Sequence, residues 1–286
     1  MGGMGNQMFQ YAFGRYLSII NNTELKLDVD FLLERSKNIN GFVFRDFDLS
    51  IFNIKANFSS KNEVSDLITR SEFKPLNIIL NKLIGLKANY KVEQTLNYNP
   101  TAMKFEDNSY IDGYWQSENY FSPIKDLIKK EFSFKHPIQE NCKILMGQIN
   151  STNSVCVNIR RADFVTNSFH GTCDTSYYYS AEKVIKEQIK EPIFYVFSDE
   201  IEWCKRNLKF SVSTIFIEHK YAGTKFQDYL RLMSACKNFV IPNSSFAWWA
   251  AYLSLNESKI VIAPKRWNQA PNFNTESLTL NNWILL

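Results

Sequence analysis

The chain has 286 residues, 45% hydrophobic and 22% charged, which excludes a disordered or fibrous protein. At roughly 150 residues per domain, this length suits two domains, each able to bury a core. Lys and Arg number 33 against 29 acidic residues, a net charge of +4 with no long basic run, so nothing marks a nucleic-acid partner. Aromatics reach 15%, a supply that serves either core packing or stacking on sugars and bases.

Five cysteines (Cys142, Cys156, Cys173, Cys204, Cys236) are odd in number and widely spaced. They read as reduced thiols of a cytosolic protein, not as a disulfide framework or a zinc cluster. No run reaches the roughly 18 apolar residues that span a bilayer. The start has no basic segment followed by an apolar one, so no signal peptide is evident. Surface lysines and aromatics leave room for peripheral membrane association without arguing for it.

In chain order, the glycine turn Gly2-Gly3-Met4-Gly5 comes first. A helix from Asn6 to about Ile20 follows, because Phe9, Ala12, Phe13, Tyr16, Leu17 and Ile20 recur at helical spacing. Leu25 to Val29 is a short strand, residues 34–100 are loops and short helices, and Tyr110-Ile111 is a strand ending near Gly113. The second half alternates strand and helix. Strands are expected at 155–159, 193–197, 214–217, 239–241 and 259–263, and helices at 177–189, 201–208, 226–236 and 245–253. Short connections between them imply a parallel sheet with ligands at the carboxyl ends of its strands. Polar residues and Pro137 place the boundary within 135–152, giving domains 1–148 and 149–286.

Several segments carry candidate chemistry. Gly5, Asn6 and Gln7 open a helix whose free N–H groups suit a phosphate or a sugar hydroxyl. It is no dinucleotide fingerprint, since Met8 stands where a third glycine belongs; a flexible start with an Asn cap explains it as simply. Asn158-Ile159-Arg160-Arg161-Ala162-Asp163 ends a strand, where one arginine can face a diphosphate while the other pairs with Asp163. Ser198 and Asp199 close the next strand and suit a ribose or base; a helix cap is the plain alternative. Asn243, Ser244, Ser245 and Phe246 form a strand-to-helix turn with more small polar residues than one cap needs, the pattern of a phosphate nest.

The strings Asp28-Val29-Asp30 and Asp46-Phe47-Asp48 are weak metal signals, because short acidic strings are common and no other hard-ligand cluster lies nearby. His136, His170 and His219 are too dispersed for a metal site; His170 is a candidate base or a plain loop histidine.

Taken together, these segments resemble the bacterial α-1,2-fucosyltransferases of glycosyltransferase family 11. The resemblance rests on Gly2 to Ala12, on Asp112 to Phe121 (Asp-Gly-Tyr-Trp-Gln-Ser-Glu-Asn-Tyr-Phe), on the double arginine, and on Phe197 to Glu200. It also rests on Leu232 to Lys237 with the Asn-Ser-Ser-Phe-Ala-Trp-Trp turn, and on Ala263 to Trp267. It runs in family order over nearly the whole chain.

The resemblance implies a GT-B-like α/β fold: two Rossmann-like domains with a cleft between them, the first on the acceptor side and the second binding donor. It implies inverting transfer of L-fucose from GDP-fucose to a galactoside hydroxyl, galactose O2 foremost, without a metal or other cofactor. By this carry-over Arg160 holds the β-phosphate, Asp228 reads guanine, and Ser244, Ser245 and Phe246 lie against the phosphates and ribose, with Gly5, Asn6, Gln7, Asn158, Ser198, Asp199 and Asn243 as further donor contacts. The catalytic base is sought among His170, Asp163 and Glu118.

The expected partners are GDP-fucose and a galactose-terminated oligosaccharide or lipid-linked glycan. The expected place is the bacterial cytoplasm, with peripheral contact at the inner membrane as an option. Two departures stand out. Asn158 occupies a position that is His in the family, and the strand that usually precedes the glycine turn is missing, which suggests a truncated start. Another fucosyl linkage, or a non-catalytic GDP-sugar- or glycan-binding protein, is the alternative.

Overall fold

The computed structural model describes residues 2–33, 46–72, 89–162, 171–268 and 273–286. The chain divides into two compact units, Met1–Ser133 and Phe134–Leu286. The division falls before the expected 148/149 boundary because Glu140–Ser151 is a helix of the second unit and packs on Gln227–Ala235. Its Cys142, Leu145 and Ile149 are buried at helical spacing.

Unit 1 is organised by α1 (Met4–Ile20), which buries Phe9, Tyr11, Ala12 and Phe13. Phe13 packs its ring 4.8 Å from Trp115 and 4.7 Å from Tyr120. Each such ring removes on the order of 150–250 Å² from water, roughly 4–6 kcal/mol of burial apiece. Glu131, itself buried, accepts from the Tyr11 hydroxyl at 2.6 Å and from Arg15 Nε at 3.1 Å. Three further helices, α2 (Asp30–Leu33), α3 (Lys61–Glu72) and α4 (Lys125–Glu131), accompany two parallel strand pairs. β1 (Lys26–Leu27) pairs with β2 (Asn57–Phe58), and β3 (Tyr90–Val92) with β4 (Tyr110–Asp112) in the register Lys91 opposite Ile111.

Unit 2 is a parallel six-stranded sheet ordered β10-β9-β8-β5-β6-β7. Its strands are β5 (Ser154–Ile159), β6 (Ile193–Ser198), β7 (Ser213–Phe216), β8 (Asn238–Val240), β9 (Val261–Ala263) and β10 (Ile284–Leu285). Helices α5 (Glu140–Ser151), α6 (Thr175–Gln188), α7 (Ile201–Asn207), α8 (Gln227–Ala235) and α9 (Ser245–Leu253) alternate with them. All six residues of β5 are buried, as expected of a strand covered on both faces. Val157 lies opposite Val196 on one side and Val240 on the other.

From β5 the chain builds outward through β6 to β7, then returns to β8 on the other flank of β5 and continues to β9 and β10. The strand order therefore reverses between β5 and β8, and such a reversal opens a crevice at the carboxyl ends of those two strands. The α/β class with a parallel sheet is that expected from the sequence. β10 and α5 had no clear sequence signal: the strand has two residues, and the helix lies where the boundary was sought.

Candidate active site

Arg160 follows the end of β5, and Asn243, Ser244 and Ser245 follow β8, so both sides of the reversal carry candidate residues. Ser244 is the N-cap of α9: its backbone is extended and its hydroxyl accepts from Ala247 N at 3.5 Å. Behind it the helix is held by Trp248 and Trp249, both fully buried. The Trp248 indole donates to Leu278 O at 2.8 Å. Ser245 and Phe246 are half-buried at the first turn. Asn243 is buried and donates to Gly171 O at 3.2 Å, fixing the turn to the segment before α6.

The two arginines both reach the end of β6. Arg160 Nη1 lies 2.8 Å from Asp199 Oδ2. Arg161 pairs with Glu200 at 2.9 Å and lays its guanidinium 3.6 Å over the Trp203 ring. Arg161 N also donates to Asp199 Oδ1 at 3.0 Å. Asp199 thus orients the arginine turn. Ser198 is buried, and its hydroxyl accepts from Glu200 N at 3.0 Å, the capping alternative. Asn158 is buried in β5 and donates to Phe197 O at 3.2 Å across the ladder. Asp163 and His170 lie outside the described residues.

Asp228 sits in the first turn of α8, fully buried. Its Oδ1 is 3.4 Å from Arg231 Nη1, while Oδ2 has no hydrogen-bond partner among the described residues. Burial raises its carboxyl above the ordinary range, with the Arg231 charge acting the other way. Gly223 has φ +69, and a Cβ there would stand 2.5 Å from Asp228 Oδ2. Lys225 and Phe226, at φ +50 and +58, continue this left-handed strap. Arg231 also donates to His136 O and covers the Phe134 ring at 4.2 Å. Sequence reasoning missed Arg231; its place three residues after Asp228 in an expected helix was the available signal.

In unit 1, Gln7 is buried: Nε2 donates to Gly2 O at 2.9 Å and to Asp46 O at 2.8 Å, and Oε1 accepts from Asp48 N at 2.9 Å. These bonds tie the glycine turn to the second Asp-x-Asp string. Asn6 Oδ1 accepts from Gln116 Nε2 at 2.7 Å. The cap of α1 is Gly3 rather than Asn6, and Gly5 is buried in the first turn. Asp28 accepts from the Tyr110 hydroxyl at 2.7 Å and from Asp30 N at 3.0 Å. Glu118 is half-buried in a short helical turn. Among the described residues there is no group of three His, Cys, Asp or Glu that could hold a metal ion, and no helix is long and apolar enough to cross a membrane.

The profile of "Glycosyl transferase family 11" matches residues 2–286. The chain belongs to glycosyltransferase family 11. An Escherichia coli family relative described as an alpha-1,2-colitosyltransferase is 34% identical, covering 99% of this chain and 96% of its own length. The O-antigen biosynthesis glycosyltransferase WbnK of Escherichia coli is 29% identical, over 100% of this chain and 98% of its own. A galactoside 2-alpha-L-fucosyltransferase of Caenorhabditis elegans is 30% identical over 52% of this chain and 44% of its own. Membership in glycosyltransferase family 11 makes the protein a sugar transferase, and a strand-order reversal such as that between β5 and β8 is where open α/β sheets bind ligands in general.

Proposed function

We propose that this glycosyltransferase moves L-fucose from GDP-fucose to a galactoside hydroxyl, galactose O2 foremost, with inversion, giving an α-1,2-fucosylated glycan. The observation that carries this reading is the convergence of Arg160 and the Ser244-capped start of α9 on the strand-order reversal of unit 2. A guanidinium and the N–H groups of a helix start are matched to a diphosphate. Asp228 supplies a buried carboxylate, one oxygen of which has no hydrogen-bond partner among the described residues, and a carboxylate suits the adjacent N–H donors on the edge of guanine.

The reaction is a single displacement. The acceptor oxygen attacks the anomeric carbon, the bond from that carbon to the β-phosphate oxygen breaks, and its electron pair leaves with GDP. Negative charge grows on the phosphate, where Arg160 and the α9 N–H groups stabilise it, each such donor being worth about 3–4 kcal/mol in the transition state. Unit 2 is the donor side and unit 1 the acceptor side. A galactose-terminated oligosaccharide or lipid-linked glycan is the acceptor class, met in the cytoplasm or peripherally at the inner membrane.

The test incubates the full chain with GDP-fucose and lactose, and reads the product by mass spectrometry and linkage analysis. One added deoxyhexose on galactose O2 is expected. Binding of GDP without transfer to any galactoside overturns the reading. A second donor is favoured by the 34% identity to the colitosyltransferase, since colitose is fucose lacking one hydroxyl. A parallel arm with GDP-colitose decides between the two donors, and a product linked elsewhere than O2 identifies a different transferase.

A further inference from the structure

β7 closes one flank of the unit 2 sheet: it pairs with β6 and has no strand beyond it. Ile217 N donates to Val196 O of β6 at 2.8 Å. Backbone groups alternate in direction along a strand, so Ser213, Ile215 and Ile217 turn theirs to β6, while Val212, Thr214, Phe216 and Glu218 turn theirs outward. Both ends of that outward row are already engaged. Val212 N donates to Glu182 Oε1 at 3.2 Å, and Val212 O accepts from the Thr214 hydroxyl at 2.9 Å. Glu218 O accepts from Tyr221 N at 3.1 Å. Thr214 and Phe216 lie between, and no described residue bonds to their outward N–H and C=O groups.

The composition of this edge adds a second observation. Soluble proteins blunt edge strands with lysine, proline or a very short strand. From Phe210 to Ile217 the chain reads Phe-Ser-Val-Ser-Thr-Ile-Phe-Ile, without a charge, Pro or Gly, the make-up of a segment that pairs with its own kind. The opposite edge, β10, has only two residues. Ile215 is 36% exposed at the middle of the open row. A second copy laid antiparallel along β7 has three registers that set outward residues of this row opposite one another. Thr214 opposite the second copy's Thr214 puts Phe216 against Val212, whose N–H and C=O are both engaged. Phe216 opposite the second copy's Phe216 puts Thr214 against Glu218, whose C=O is engaged. Thr214 opposite the second copy's Phe216 matches open groups with open groups throughout, and its two-fold axis passes through Ile215.

We infer that β7 is a self-pairing surface: two copies of this chain join edge to edge through an antiparallel β7 ladder, Thr214 opposite the second copy's Phe216. Each such pair exchanges two backbone hydrogen bonds, and the symmetry makes two pairs. Ile215 forms the pair between them, where opposed Cα atoms stand about 4.5 Å apart, so the two exposed isoleucines cover each other. No charged residue lies between Lys209 and Glu218, so no like charges meet across the axis. The strands of the second copy run the opposite way, so the two β5–β8 crevices open in opposite directions and neither is covered by the ladder. This pairing is independent of which sugar the chain transfers. A contact of this size belongs to the small class, under about 1,200 Å², whose complexes are weak and reversible.

Sedimentation velocity of the full chain between about 1 and about 100 μM should show a reversible monomer–dimer equilibrium, the range of a small interface. Ile215→Lys places a lysine on the edge and should hold the chain monomeric over that range, with circular dichroism and thermal unfolding like those of the wild type. Cysteine cross-linking tests the register without depending on that variant. With a mild thiol oxidant, Ile215→Cys should form a disulfide-linked dimer, because it meets its own counterpart on the axis. Ser213→Cys lies about 13 Å along the strands from its counterpart, beyond the roughly 7 Å that a disulfide spans, and should stay unlinked like the wild type. A chain that is monomeric throughout, a dimer that survives Ile215→Lys, or linkage at Ser213→Cys but not at Ile215→Cys overturns the inference.

Discussion

Arg160 Nη1 stands 2.8 Å from Asp199 Oδ2, so the ends of β5 and β6 are joined by opposite charges beside the reversal of strand order. The two side chains remain 27% and 18% exposed, which keeps the guanidinium within reach of a ligand while its direction is fixed. Arginine presents five N–H donors in a planar fork, the geometry that suits bidentate contact with a diphosphate.

Arg160→Ala should therefore lose about two to three decades in transfer rate, the equivalent of about 3–4 kcal/mol of transition-state stabilisation. Folding should change little, since a partly exposed ion pair contributes about 1 kcal/mol or less. Steady-state kinetics beside denaturant unfolding separates the two effects, and a rate loss under fivefold would remove Arg160 from the phosphate site.

Gly223 guards the buried carboxylate of Asp228. At φ +69 a side chain costs about 1–2 kcal/mol, and the Cβ would stand 2.5 Å from Asp228 Oδ2. Gly223→Ala is expected to destabilise unit 2 by about 2 kcal/mol or more and to weaken GDP binding, because the strap must yield where Asp228 lies. Thermal unfolding and calorimetry report both, and an unchanged GDP affinity would detach Asp228 from the nucleotide.

Unit 2 was legible in the sequence because its strands are short apolar runs separated by short helices, and parallel sheets bury such runs on both faces. The cap at Ser244 and the arginines at the end of β5 followed from the same pattern. Unit 1 was harder. Its strands have two or three residues, too few for a period, and its packing is set by rings such as Phe13 and Trp115 that lie far apart in sequence. Gln7 looked like a ligand-binding amide, yet the loop that consumes it returns from Asp46 and Asp48, a closure invisible to local spacing.

The cysteines give a prediction independent of catalysis. Burial pushes the Cys204 thiol up to about 11 and the Cys173 thiol up to about 12, and it also raises Cys142 and Cys156. Thiolate is the reactive form, so at pH 8 Cys204 offers on the order of one part in a thousand. A thiol reagent should label the native chain slowly and reach all five cysteines only after unfolding. Fast stoichiometric labelling of Cys204 in the native protein would contradict its burial.

Arg231 and Asp228 form a buried pair at 3.4 Å, and deleting one member of such a pair leaves an uncompensated charge worth about 3–5 kcal/mol. Arg231→Met should lower stability by that amount at neutral pH. Asp228 is already raised by burial in the intact protein, with Arg231 holding it back, so the variant raises it further. A carboxyl whose folded pKa exceeds its unfolded one favours the folded state below the unfolded pKa and loses that contribution as pH rises through the folded value. The stability gap between wild type and Arg231→Met should therefore be widest at neutral pH and should narrow on acidification, as Asp228 becomes neutral and needs no partner. Urea unfolding of both proteins at intervals from pH 7 downward measures the gap. One that stays constant or widens toward acid would mean that Arg231 acts through its contacts with His136 and Phe134 rather than through the Asp228 charge.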